Sequence, residues 1–77
     1  MTSSVLANLN TALHAAMADE RVIVLGEDVL DPYGGAFKVT RGLSTQFPNR
    51  VLATPISEAG IVACATGLAL RGFLPVV

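Results

Sequence analysis

Val5, Leu6, Leu9, Leu13, Ala16 and Met17 recur at three- and four-residue steps, the spacing of one face of an amphipathic helix. Asn8, Asn10, Thr11 and His14 fall mostly on the other, surface-like side. Ser3 or Ser4 suits the N-cap, because a short hydroxyl there accepts from a free amide of the first turn. Asp19 and Glu20 would oppose the helix dipole, so the helix is expected to stop near Met17. Val22-Ile23-Val24-Leu25 follows as a short, wholly apolar run, the pattern of a parallel strand buried on both faces. Gly26 closes it. Leu30-Asp31-Pro32-Tyr33-Gly34-Gly35 is rich in breakers and reads as a loop. Ala36 to Phe47 is expected to contain a helix, with Phe37, Thr40, Leu43 and Phe47 on one side and Pro48-Asn49 ending it.

Arg50-Val51-Leu52-Ala53 reads as a second strand. Ser57 is a good N-cap for a helix from Glu58 to about Arg71. Arg71 complements that helix's C-terminus, and Gly72 is a natural residue to follow it. Phe73 to Val77 begins a third strand. The order is helix, strand, helix, strand, helix, strand, which implies βαβ units, a parallel sheet and right-handed crossovers. The expectation is an α/β fold, the first half of a doubly wound parallel-sheet domain, with residues 1–77 forming one partial domain. An apolar strand at the end leaves a bare sheet edge, so the chain reads as a fragment.

Composition sharpens that picture. Hydrophobic residues make up 52% of the 77 and charged residues only 14%, against about 25% charged in an average domain. Some elements therefore expect cover from elsewhere. The net charge of −1 gives no electrostatic case for nucleic acid or an anionic membrane. Met1-Thr2-Ser3-Ser4 lacks the features of a signal or transit peptide. The uncharged stretch between Glu58 and Arg71 is shorter than the roughly 20 residues a membrane span needs. A cytoplasmic location follows as the expectation. Cys64 has no partner for a disulfide and is expected to be buried as a small hydrophobe.

Candidate chemistry centres on Glu27 and Glu58. Each follows the C-terminal end of an apolar strand, and in a parallel sheet those ends open on one rim, where ligands gather. Two carboxylates there can bind a cation, move a proton or hold a polar ligand. They can equally be a loop solubiliser and a first-turn acid that favours the helix dipole. Gly60 and Gly67 lie on one helical face and imply a close approach, by the sheet or by another chain. Tyr33-Gly34-Gly35-Ala36 lacks the spacing of a phosphate loop. His14 has no second ligand or nucleophile beside it in sequence, and the chain holds no cysteine cluster or metal-binding pair of histidines.

Three segments in order, Val22 to Val29, Tyr33 to Gly42 and Thr54 to Ile61, resemble the start of the β subunit of thiamine-diphosphate-dependent 2-oxoacid dehydrogenases. These are the E1 components of pyruvate, branched-chain and acetoin type. The resemblance runs from about Leu6 to Val77. It implies a pyrimidine-binding α/β domain in an oxidoreductase that decarboxylates a 2-oxoacid and passes the acyl group to an E2 lipoyl group, the disulfide acceptor. It implies thiamine diphosphate as cofactor, with magnesium held by a partner α subunit, and an α2β2 assembly with a second β subunit. Glu58 matches the glutamate that bonds pyrimidine N1′ and promotes loss of the thiazolium proton. Glu27 matches an acidic position near the channel between paired active sites, and Ile56 and Ser57 adjoin the cofactor. Ala63-Cys64 stand where that family more often has glycine and alanine. A transketolase-like thiamine-diphosphate domain and a non-catalytic interaction fragment are the competing readings. The identity of the 2-oxoacid is not legible in these residues.

Overall fold

The computed structural model describes residues 4–35 and 37–77. Helix α1 spans Val5–Ala16, strand β1 Val22–Gly26, helix α2 Leu43–Gln46, strand β2 Val51–Ala53, helix α3 Glu58–Leu70 and strand β3 Leu74–Val76. All three strands are parallel, in the order β2-β1-β3. The chain steps from β1 to one side and then returns past it to the other. Right-handed crossovers of that kind put successive connecting segments on opposite faces, so the sheet is wound on both sides. The α/β expectation holds.

β1 is the centre of the molecule. Val22, Ile23, Val24 and Leu25 are all buried, as an apolar run without alternation requires. Val24 pairs with Val51, and Leu25 with Leu52. Side chains alternate across a sheet, so Val22, Val24 and Val51 share one face. Met17, Val29 and Leu43 close over that face as one cluster. Leu25 and Leu52 face the other way, toward α3.

Helix ends follow local chemistry. Ser4 Oγ accepts from Ala7 N at 3.0 Å and caps α1; Ser3 lies outside the described residues. α1 stops at Ala16 with Met17 as C-cap. Ser57 Oγ accepts from Gly60 N and caps α3. Gly72, with φ +94°, turns the chain after Arg71, a conformation that costs an L side chain about 1–2 kcal/mol. Phe73 N then closes back on Leu68 O at 3.1 Å.

The helix expected within Ala36 to Phe47 is present as one turn, Leu43–Gln46. Its periodic apolar positions do not share a face. Phe37 is 77% exposed, and Thr40 is buried because its hydroxyl donates to Val29 O at 3.0 Å. Lys38 has φ +65° and Gly42 φ +87°, both incompatible with a continuous right-handed helix. Ala36 lies outside the described residues.

Arg50, read as the start of a strand, serves as a clamp. Its Nη1 donates to Asp19 O at 2.8 Å and Val22 O at 3.2 Å, and its Nη2 to Met17 O at 2.8 Å. The guanidinium also sits 5.0 Å from the Phe47 ring centre. It joins the end of α1 to the start of the sheet. Replacing Arg50 with alanine strands these carbonyls and is expected to lower stability by roughly 1.5–3 kcal/mol. Urea unfolding measures this, and a loss below about 0.5 kcal/mol would assign the clamp no net value.

Candidate functional site

The strand order reverses between β1 and β3, and open α/β sheets bind ligands in the crevice outside the strand ends at such a point. A cavity of about 500 Å³ lies there. Its floor is formed by Val24, Leu25 and Gly26 of β1 and by Val76 and Val77 at the end of β3. Leu9 and Leu13 of α1 and Ile61 of α3 close it from the sides. Gly35, Val39 and Thr40 form a wall that is neither helix nor strand.

Glu27 and Glu58 both line this cavity. Glu27 is the first residue after β1, and Glu58 is the first residue of α3, five positions beyond β2. Both are exposed to solvent at residue level, while most of the lining around them is apolar. The N-terminus of α3 favours an anion at Glu58. Neither glutamate makes a hydrogen bond or ion pair among the described residues. A cavity of this size, apolar with a few convergent polar groups, suits a small organic ligand.

The other two residues named for the site are not part of this cavity's lining. Ile56 is 80% exposed and does not line the cavity. Ser57 borders a smaller hollow of about 200 Å³ behind the α3 N-terminus, and its hydroxyl is engaged in the helix cap. A Cβ at Gly60 would lie 2.7 Å from that hydroxyl, while one at Gly67 would meet nothing within 4 Å. The close approach read from these glycines is thus the cap at Gly60 and is not seen at Gly67.

Cys64 is exposed, contrary to the burial expected of it. α3 packs on β1 and β3, and its side toward β2 stands off the sheet. A hollow of about 540 Å³ opens there between Leu52, Phe73 and the Cys64, Gly67 and Leu68 face. Thr54 borders it, and its Oγ1 is buried without a partner. Among the described residues no group of three His, Cys, Asp or Glu is placed to hold a metal ion, and no helix is long and apolar enough to cross a membrane.

Two polar positions on α1 read as surface are fasteners. Asn10 Nδ2 donates to Val39 O at 2.7 Å and Arg41 O at 3.0 Å. His14 Nε2 lies 3.0 Å from Arg41 O, and its Nδ1 3.3 Å from Gln46 Oε1. Gly34 lies under the same segment. With φ +70°, a Cβ there would come within 2.8 Å of Arg41 Cα. Gly34 is thus required by the crossing of residues 34 and 41, and Gly35, with φ +85°, by its turn against Thr40.

Asp31 was legible only as a loop residue. Its Oδ1 accepts from Gly42 N at 2.7 Å, and its Oδ2 from Ser44 Oγ, Thr45 N and Thr45 Oγ1 at 3.1, 3.1 and 2.7 Å. Gly42, at the N-cap of α2, has no side chain to cap with, so Asp31 supplies the cap from afar. The amide of Gly42, and then the Thr45 hydroxyl, hold the Asp31 carboxyl down at about 2 from an ordinary 3.8. The depressed value means that Asp31 stabilises the fold above the ordinary value, and that this contribution is lost as pH falls from 3.8 toward 2. Acid unfolding of Asp31→Asn is expected to show a shallower loss of stability over that interval than wild type. Equal slopes would remove the carboxylate's role.

Comparison with known proteins places these features. Residues 3–77 match the transketolase pyrimidine-binding domain. The chain is 55% identical over 71 residues to the pyruvate dehydrogenase E1 component subunit beta of Leifsonia xyli. It is 54% identical over 70 residues to the 3-methyl-2-oxobutanoate dehydrogenase subunit beta of Mycobacterium tuberculosis. It is 49% identical over 71 residues to the mitochondrial pyruvate dehydrogenase E1 component subunit beta of Pisum sativum. These matches cover 88–90% of this chain but only 20–21% of each relative, so the chain spans about a fifth of the length of the curated relatives it matches.

Proposed function

The chain belongs to the transketolase pyrimidine-binding domain family, and from that premise we propose that it holds the aminopyrimidine of thiamine diphosphate within the E1 β subunit of a 2-oxoacid dehydrogenase complex. One observation carries the reading. Glu27 and Glu58, from the ends of two different strands, meet on a single largely apolar cavity at the point where the strand order reverses.

An aminopyrimidine has apolar faces and a polar edge. Leu25, Val76 and Ile61 offer apolar walls to the faces. Glu58 would hold the polar edge, its carboxyl placed to share a proton with a ring nitrogen. Glu27 lies on the same cavity as a second acid, able to accept a hydrogen bond or pass a proton. With the ring seated, water is displaced from these carboxylates and their hydrogen bonds strengthen in the drier surroundings. Ser57, next to Glu58, caps α3 and fixes where it begins, and Ile56 precedes it as a further neighbour of the site. Bound thiamine diphosphate supplies the electron-accepting chemistry that lets a 2-oxoacid lose carbon dioxide.

The partners in this reading are an α subunit carrying magnesium and the diphosphate, a second β subunit in an α2β2 assembly, and an E2 whose lipoyl disulfide accepts the acyl group. The setting is the cytoplasm. Relatives named for pyruvate and for 3-methyl-2-oxobutanoate are almost equally similar, at 55% and 54% identity, so the substrate is proposed at the level of the 2-oxoacid class.

Titration of the full-length protein with thiamine diphosphate and magnesium, with and without an α-type partner, tests the proposal. Cofactor binding in the mixture and not with either chain alone is the expected result. Association with the partner that is indifferent to cofactor, with no cofactor bound, would instead favour a non-catalytic interaction module.

A further inference from the structure

The wall formed by Gly35, Val39 and Thr40 has no secondary structure of its own, and loop walls of this kind ordinarily open easily. Here the wall is tied from within and from outside. Within it, Gly35 N donates to Asp28 O at 2.7 Å, Thr40 N to Gly34 O at 3.0 Å, and Thr40 Oγ1 to Val29 O at 3.0 Å. From outside, Asn10 holds the Val39 and Arg41 carbonyls.

Asp31 completes the set. It stands where the chain enters this segment, and its carboxylate grips Gly42, Ser44 and Thr45 where the chain leaves. Asp31 N also donates to Ser44 Oγ at 2.7 Å. The segment is thereby closed into a loop pinned at its neck.

We propose that Asp31 is a positioning residue for the Glu27 and Glu58 cavity: by pinning the neck of residues 31–42 it keeps the wall in place before a ligand enters. This rests on reading that cavity as the aminopyrimidine site. The carboxylate is required, because the backbone amides of Gly42 and Thr45 point at different oxygens. An asparagine presents one oxygen and one NH₂, so in either orientation one of these amides faces another donor. Asp31→Asn therefore breaks the clasp while keeping side-chain size.

The test uses the full-length protein assembled with its α-type partner, and two readouts. One is amide hydrogen exchange at Gly35 and Thr40. The other is affinity for the free probe 4-amino-5-hydroxymethyl-2-methylpyrimidine. In Asp31→Asn, exchange at both amides and the probe dissociation constant are each expected to rise at least about tenfold, with the circular dichroism spectrum unchanged. Thr45→Val removes one donor and should give a smaller change of the same kind. It also carries both readouts if Asp31→Asn does not fold. Faster exchange confined to residues 42–46, with unchanged affinity, would make Asp31 a cap of α2 alone and overturn the proposal. Failure of the wild type to bind the probe would count against the aminopyrimidine reading, while exchange at Gly35 and Thr40 would still decide whether Asp31 holds the wall.

Discussion

Replacing Leu43 with alanine is expected to lower stability by roughly 2–5 kcal/mol, the usual range for emptying a fully buried leucine site. Leu43 is 0% exposed and packs among Met17, Val22, Val24, Val29 and Val51. It is also the sole buried residue of α2. A helix of four residues has no independent stability, so that side chain is what holds the turn to the sheet. The neighbours come from α1, β1, β2 and the loop after β1, and these fixed elements cannot easily collapse into the space left behind. The cost should therefore fall in the upper part of the range. Small domains have a total margin of only about 5–15 kcal/mol, so the variant should unfold at clearly lower urea. Phe37→Ala is the contrast: an aromatic 77% exposed should change stability by about 0.5 kcal/mol or less. Urea midpoints for the two variants make the comparison. Equal effects, or a Leu43→Ala loss below about 1 kcal/mol, would mean that the core is not where the structure puts it.

The contrast between Leu43 and Phe37 also shows what a sequence can carry. β1 was legible because an apolar run without alternation has few other stable fates. Both ends of α3 were legible because Ser57 and Gly72 act on groups a few residues away. Between β1 and β2 the expected helix is present but short, and its expected apolar face is not, because Phe37, Thr40, Leu43 and Phe47 imitate helical spacing. In the structure Thr40 is buried for its hydroxyl and Phe37 points to solvent. The fasteners were illegible for a related reason. Asn10, His14 and Arg50 act on groups 27–33 positions away, and Asp31 on groups 11–14 away. No local pattern encodes such pairings. Glu27 and Glu58 were named from their place after strands, and both line the one candidate cavity. Ile56 and Ser57 were named as neighbours of Glu58, and neither lines that cavity.

Glu58 separates chemistry from structure unusually well. Its side chain makes no hydrogen bond or ion pair among the described residues, and the cap of α3 belongs to Ser57. Glutamine at this position keeps the shape and the helix start. Its effect on folding should stay within about 0.5 kcal/mol. What glutamine lacks is a proton to share. A carboxyl that moves a proton at the reacting system contributes typically about 10²–10⁴-fold, and a neutral amide cannot replace it. The same logic makes Glu58→Asp informative, since the acid is kept but withdrawn by one methylene from the cavity. Partial activity in that variant would point to distance, not charge alone.

The most direct measurement is 2-oxoacid decarboxylation by the assembled full-length protein carrying Glu58→Gln, with assembly and cofactor content checked on the same sample. The predicted result is a fall in kcat of at least about 100-fold with assembly intact. Activity within a few-fold of wild type, in a sample equally assembled and loaded, would contradict the role assigned to Glu58 and with it the reading of this cavity as the aminopyrimidine site.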